Sequence, residues 1–230
     1  MKAFKVDLDN EKNQSIILES SACPSNNQAY QVDRVVDRVA KKIYKLIEGT
    51  KHSNDGIILN HNEIKEAFFS PFKPQLKNAQ VFLSHSHADK NKALKVKNYL
   101  EEDLDAECVF IDSLFWDYKN NVLKEIKKRH IDTSKIEDAF TLILRESLQD
   151  MIEKCPYFVF LKSKNSVSNQ GLSRITYSAW IYEELKIAHS IRESRPTLTM
   201  ENAQVSHNIS PFLENLETIT LKELSQQINS

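Results

Sequence analysis

Residues Ala79–Leu104 read AQVFLSHSHADKNKALKVKNYLEEDL. Val81-Phe82-Leu83 is a short unbroken apolar run of the kind that suits a strand buried on both faces. Ala93, Val96, Leu100 and Leu104 then recur at helical spacing, and Asp89 stands where an N-cap residue belongs. A buried strand feeding into an amphipathic helix is half of a β-α-β unit.

Downstream, strand-like and helix-like segments go on alternating. Cys108–Ile111 predicts a second strand, and the polar and aromatic stretch Asp112–Asn121 predicts a loop. Helices are expected around Val122–Arg129 and, after Asp132-Thr133-Ser134, through Ile136, Phe140, Leu144, Leu148 and Met151. Tyr157–Leu161 reads as the third strand, Lys162–Ser173 as a Ser- and Asn-rich loop, and Ser178–Glu193 as a helix. Thr197–Met200 and Thr218–Leu221 complete the strands before a short C-terminal helix. The expected fold is α/β, with five parallel strands in a doubly wound sheet. Such a sheet opens a ligand crevice at the carboxyl ends of its strands, which puts Ser84–Asp89, Asp112–Asn121 and Lys162–Tyr177 around one site.

Upstream, residues 1–75 read as a separate α+β extension. Phe4, Val6 and Leu8 alternate with polar residues as in a half-buried strand, and Ser15–Leu18 adds a short apolar run. Gln28–Glu48 spaces Val32, Val35, Val36, Val39, Ile43, Leu46 and Ile47 as one face of a helix ending at Gly49. A strand-like Ile57–Leu59 and a short helix near Asn62–Phe69 follow, and Pro71 and Pro74 mark a linker. The expected division is therefore 1–75 as a regulatory or oligomerisation extension, 79–222 as the main domain and 223–230 as a C-terminal helix or tail.

Composition bounds the function classes. With 40% hydrophobic and 27% charged residues, 3 glycines and 6 prolines, the 230-residue chain reads as globular. A net charge of −1 supplies no basic field for nucleic acid or an anionic membrane, so neither is expected as a partner. Lys124, Lys127, Lys128 and Arg129 are interrupted by Glu125 and read as a solvated helix face. Three scattered cysteines, a charged N-terminus and no long apolar run lead to the expectation of a cytoplasmic protein with reduced thiols.

One ionisable residue breaks the pattern of its helix. With Trp180 at zero and about 100° per residue, Ile187, Ile191, Ala188, Ile181 and Leu185 span an arc from about 340° to about 140°. Glu184 falls at about 40°, inside that apolar arc, whereas Glu183 at about 300° sits on its edge. Burying an unpaired carboxylate is costly, so Glu184 either pairs with a base such as Arg174 or lines the crevice.

Three segments carry a family resemblance. Val81-Phe82-Leu83-Ser84-His85-Ser86 with Asp89 resembles the first box of Toll/interleukin-1 receptor (TIR) domains, and Val109-Phe110-Ile111-Asp112 resembles their second strand. Trp180-Ile181-Tyr182-Glu183-Glu184-Leu185 is similar to the family's W-C-x-x-E-L helix motif, with Ile181 in place of the cysteine. Asp112-Ser113-Leu114-Phe115-Trp116 resembles the corresponding segment of TIR proteins from bacterial anti-phage systems of the Thoeris type. The resemblance covers Ala79–Leu221. It departs in the loop Asp112–Asn121, which lacks the family's proline and glycine, and in about 25 extra residues before the third strand.

The resemblance implies a flavodoxin-like sheet and an enzyme that cleaves NAD, with Glu184 as the catalytic carboxylate. A carboxylate beside the nicotinamide ribose can stabilise an oxocarbenium-like centre, and nicotinamide departs as a neutral group without a general acid. Capture by water gives ADP-ribose, and capture by the adenine of the same molecule gives a cyclic isomer. By analogy Ser84, His85, Ser86, Asp112 and Ser113 bind the substrate, while Trp116 and Trp180 are placed to stack on its rings. NAD is then a substrate, and no cofactor is required. Self-association through TIR domains and an effector protein that responds to the nucleotide product are the implied partners, and catalytic members tend to work only once domains associate.

Two other classes compete. One is a TIR module that only binds other TIR modules, with Glu184 structural. The other starts from His85-Ser86-His87-Ala88-Asp89, which matches the H-x-H-x-D part of the metallo-β-lactamase motif and would mean a zinc hydrolase. Lys90 replaces its last histidine, the other histidines are His52, His61, His130, His189 and His207, and 3 glycines are too few for that fold's metal loops. No metal site is therefore expected.

Overall fold

The computed structural model describes residues 1–20, 28–49, 60–70, 77–104, 109–111, 113–128, 134–170, 173–191 and 207–229. Within them the chain is α/β, organised on a five-stranded sheet in which every pairing is parallel. In chain order the elements begin with β1 (Lys2–Asp7), α1 (Glu11–Glu19), α2 (Gln28–Gly49) and α3 (His61–Phe69). Next come β2 (Val81–Ser84), a 3-10 turn (His87–Asp89), α4 (Lys90–Leu104), β3 (Val109–Ile111), α5 (Ser113–Lys127), α6 (Ser134–Lys154) and β4 (Tyr157–Lys162). The chain continues through β5 (Ser168–Gln170), β6 (Ser173–Thr176), α7 (Ala179–Ser190), β7 (His207–Asn208), α8 (Ser210–Glu214), β8 (Glu217–Thr218) and α9 (Leu221–Ile228). Two compact units divide these elements: Met1–Cys23, Asn78–Asp112 and Leu148–Ser230 form one, and Pro24–Lys77 with Ser113–Ser147 the other.

The sheet belongs to the first unit, in the order β3-β2-β4-β1-β8. Its middle strands are apolar on both faces: Val81, Phe82 and Leu83 of β2 and Phe158 to Leu161 of β4 are fully buried. That is what a parallel sheet covered on both sides demands. Paired residues share a face, so Phe82 stacks on Phe158 at 5.8 Å and tilts against Phe110 of β3 at 5.7 Å.

Edge strand β3 is only three residues long, and its first residue is held by a buried ion pair. Lys97 and Glu101 of α4 bond one another; Lys97 Nζ also donates to the Val109 carbonyl at 3.0 Å, and Val109 N–H donates to Glu101 at 2.9 Å. The charges thus satisfy both backbone groups of Val109, which offsets part of the desolvation they suffer.

The N-terminal strand departs most from the sequence expectation. Residues 1–75 are not one extension: β1 pairs along six residues with β4, from Lys2↔Tyr157 to Asp7↔Lys162, and on its other side with β8, whereas Pro24–Lys77 belongs to the other unit. The Ser15–Leu18 run belongs to helix α1, which Asn10 caps by accepting from Lys12 N–H. Of that run Ile17 is buried and Leu18 is 78% exposed. Buried Asn13 ties the segment down: its amide donates to the Asp7 carbonyl at 2.8 Å and accepts from Leu221 N–H at 3.0 Å, joining the end of β1 to the start of α9. At that start Thr220 and Glu223 form a capping box, and the Thr220 backbone and hydroxyl hydrogen bonds hold the Glu223 carboxyl below its ordinary range.

Further expectations are corrected. Asp112–Asn121 is not a loop from Ser113 onward, because α5 begins there. Lys162–Ser173 contains β5, which with β6 and β7 makes a small antiparallel sheet. Strand Tyr157–Lys162 matches the expected third strand, whereas the last strand, Glu217–Thr218, shares only Thr218 with the expected Thr218–Leu221 because Leu221 already starts α9; Ile57–Leu59 and Thr197–Met200 lie outside the described residues.

The second unit is helical where described. Val36, Val39, Ala40, Ile43 and Ile47 form the buried stripe of α2, which packs on α3 and α5. Phe68 of α3 lies 5.0 Å from Phe140 of α6, and His61 Nε2 sits 2.9 Å from Glu146. Burial pushes the Lys119 ammonium of α5 below its ordinary value, against the opposing pull of Glu137. Among the described residues no helix is long and apolar enough to cross a membrane.

Because β1 is internal to the sheet, Val6→Asp is expected to cost about 3 kcal/mol or more, by burying an unpaired carboxylate. Leu18→Asp, on the exposed side of α1, should stay within about 0.5 kcal/mol. Urea unfolding followed by circular dichroism separates the two. An unchanged midpoint for Val6→Asp would mean that the strand is dispensable.

Candidate functional site

A parallel sheet whose connections leave adjacent strands in opposite directions opens a crevice between them at their carboxyl ends. Here β2 leads outward to β3, whereas the chain leaving β4 runs toward β8 on the other side of the sheet. The switch therefore falls between β2 and β4. Ser84 ends β2, Lys162 ends β4, and the segments that follow them carry most of the polar side chains buried near the sheet.

Glu184 reaches this switch from α7. Ser178 caps that helix by accepting from Ile181 N–H at 3.3 Å, and Ile181, Leu185, Ile187 and Ala188 are buried beside Glu184 as the helical projection requires. The carboxylate has no solvent exposure, and Ser84 Oγ donates to Glu184 Oε2. Glu183, one position earlier, is half-buried and lies 3.9 Å from Lys186. The outer face of α7 packs elsewhere: Tyr182 stacks on His207 at 4.6 Å, and Phe212 meets both Tyr182 and His189.

A second buried carboxylate organises the loop after β4. Asp89 accepts from Ser163 Oγ and, at 2.8 Å, from Asn165 Nδ2. Ser163 Oγ in turn accepts the Asn165 and Ser166 backbone N–H groups at 3.0 and 3.2 Å, and Ser166 Oγ accepts Ser163 N–H at 2.8 Å. This network holds the turns after β2 and β4 together. Asp89 thus serves in place of the helix cap expected of it, with Lys92 3.6 Å away on its outer side.

The remaining expected site residues divide. His85 is buried beside Ser84, Ser86 is half-buried, and His87 is exposed. Trp180 lies one turn before Glu184 on α7 and is half-buried. Ser113 and Trp116 belong to α5 in the other unit, with side chains outside the described part, and Asp112 lies outside the described residues. Arg174, the base expected as a partner for a structural Glu184, is exposed and lines a cavity with Lys5 and Asp7. Ser163 and Asn165 had no individual signal, since a serine- and asparagine-rich loop reads as solvated chain. Among the described residues no three His, Cys, Asp or Glu side chains converge to hold a metal ion.

No protein-family model, curated protein or solved structure matches the chain. The site therefore has to be read from its own chemistry.

A carboxylate without solvent exposure depends on the donors around it. Ser84→Ala should lower stability by about 1–3 kcal/mol, because it removes a donor from Glu184 in the interior. Denaturant unfolding of Ser84→Ala beside Ser86→Ala, a half-buried neighbour expected to change little, tests the assignment.

Proposed function

We propose that the chain is a TIR-like enzyme that cleaves NAD between ribose and nicotinamide, with Glu184 as the carboxylate that acts on the ribose. The observation that carries this reading is the Ser84–Glu184 hydrogen bond. It joins the segment similar to the first TIR box to the segment similar to the W-C-x-x-E-L helix, 100 residues apart in sequence, at the switch where a doubly wound sheet binds ligands. Strand order lends support. Counted from β2, the sheet runs second, first, third, an inserted strand, last; this is the flavodoxin-like order with β1 in the fourth place.

In the proposed reaction the C1′–nitrogen bond breaks, its electron pair leaves with neutral nicotinamide, and Glu184 stabilises positive charge on the ribose. Water adds to C1′ and loses a proton to give ADP-ribose, or an adenine nitrogen adds to give a cyclic isomer. Ser84 orients the carboxylate, and Trp180 offers a ring face one helical turn away. Ser84 and Glu184 are both buried, so substrate entry requires the cover over them to move, and we assign that opening to self-association of the chain. The biological role that follows is a bacterial defence or stress response, which depletes NAD or makes a nucleotide signal for an effector protein.

The complete burial of Glu184 favours one other reading, a non-catalytic TIR-like interaction module whose glutamate is structural. Nicotinamide release separates the two. Incubated with NAD at concentrations where the chain self-associates, the native protein should release nicotinamide, and Glu184→Gln should lose at least about 100-fold with its unfolding midpoint retained. Native protein that releases none in any assembly state supports the interaction module. The product mass distinguishes hydrolysis from cyclisation.

A further inference from the structure

The carboxyl ends of β4, β1 and β8 enclose a second concavity, of about 360 Å³, lined by Lys5, Asp7, Lys162, Asn169, Arg174 and Thr218. All six positions are set by strand pairing. Asp7 pairs with Lys162 and Lys5 with Thr218 in the parallel sheet, and Asn169 pairs with Arg174 across the β5–β6 hairpin. Asp7, Lys162 and Thr218 are the last residues of their strands. The size suits a small ligand, and the place is where parallel sheets bind them.

Among the described residues the lining carries three cations against one carboxylate. Lys162 Nζ bonds Asp7 at 2.6 Å, and Lys5 Nζ donates to the Leu213 carbonyl at 3.2 Å. The remaining positive charge is concentrated in a half-buried place. Burial is the largest cause that lowers the Lys5 ammonium from its ordinary value, followed by the Arg174 and Lys162 charges, with Asp7 opposing them. An anion bound among the three bases would relieve that repulsion. Arg174 can offer a forked pair of donors, and the Asn169 amide and Thr218 hydroxyl add neutral ones. Among the described residues no aromatic or aliphatic side chain lines the concavity, which favours a small polar ligand over a base or an acyl chain.

We propose that this pocket binds the phosphate group of a small phosphorylated sugar, with Lys5, Lys162 and Arg174 on the phosphate and Asp7 on a sugar hydroxyl. The site is distinct from the Ser84–Glu184 pair. Ser84, Phe160, Lys5 and Thr218 form one row across the sheet, so both sites open on the same face with the Phe160 ring between them. Two strand spacings, about 10 Å, separate Ser84 from Lys5 along that row. The inference stands on these residues alone and does not depend on the cleavage of NAD.

The test is calorimetric titration of the full chain with ribose 5-phosphate, ADP-ribose, inorganic phosphate and, as the uncharged control, ribose, supported by the rise in Tm that each ligand causes. Ribose 5-phosphate is expected to bind and ribose not to, with affinity falling as salt rises. Arg174→Gln, an exposed position that should fold normally, is expected to weaken binding at least about tenfold. Lys154→Gln, a charge change away from the pocket, should bind as the native chain does. Preference for ADP-ribose over ribose 5-phosphate would identify a nucleotide as the source of the phosphate, and the reverse a free sugar phosphate. Equal affinity in native and Arg174→Gln, or neither heat nor a Tm rise with any phosphate ligand, overturns the proposal. ADP-ribose is also a product of the proposed cleavage, so its binding is assigned to this pocket only where Arg174→Gln weakens it, whereas ribose 5-phosphate reads the pocket whether or not the chain cleaves NAD.

Discussion

The parallel pairing of β1 with β4 is the constraint on which the sheet unit depends. Among the described residues β1 alone links β4 to β8, and through Asn13 it also anchors the start of α9. The same pairing sets Asp7 against Lys162 and Lys5 against Thr218, and so creates the basic concavity as a by-product of register. A slip of one residue would send Phe4 and Val6 to the polar side and the two charges into the core, which fixes the register strongly.

Two buried carboxylates meet the residues at the ends of β2 and β4 in different roles. Asp89 is used for architecture: its bonds to Ser163 and Asn165 knit two turns that come from distant parts of the chain. Glu184 accepts from Ser84 at the switch between β2 and β4. A serine hydroxyl at the end of a strand is a donor that a substrate hydroxyl can replace at the carboxylate. Its place at the switch is why Glu184 rather than Asp89 bears the proposed reaction.

Much of the sheet was legible because strands buried on both faces leave unmistakable apolar runs, as in β2, β3 and β4. The inward aim of Glu184 was legible for a related reason: the apolar arc of α7 is broad enough to show which of two adjacent glutamates interrupts it. β1 was harder to place. Its alternation correctly gives a half-buried strand, but Lys5 and Asp7 look like an ordinary solvent face, and nothing local says that the partner strand begins at Tyr157. α1 was obscured by the contiguous Ile16-Ile17-Leu18, of which one side chain faces the core and the last faces water. The start of α5 was hidden because Ser113–Asn121 mixes polar and aromatic residues without a clean helical period.

The position of β1 also bears on how the protein is made. Lys2 and Tyr157 are partners 155 residues apart, so an internal strand of the sheet is synthesised long before the strand it lies against. At ordinary elongation rates the interval is on the order of 10–30 s, during which an apolar segment with two unpaired edges has left the ribosome. Such long-range parallel closure is slow and exposes the chain to association with others like it. Recombinant yield should therefore depend on chaperone supply and growth temperature more steeply than for a sheet whose central strands are neighbours in sequence.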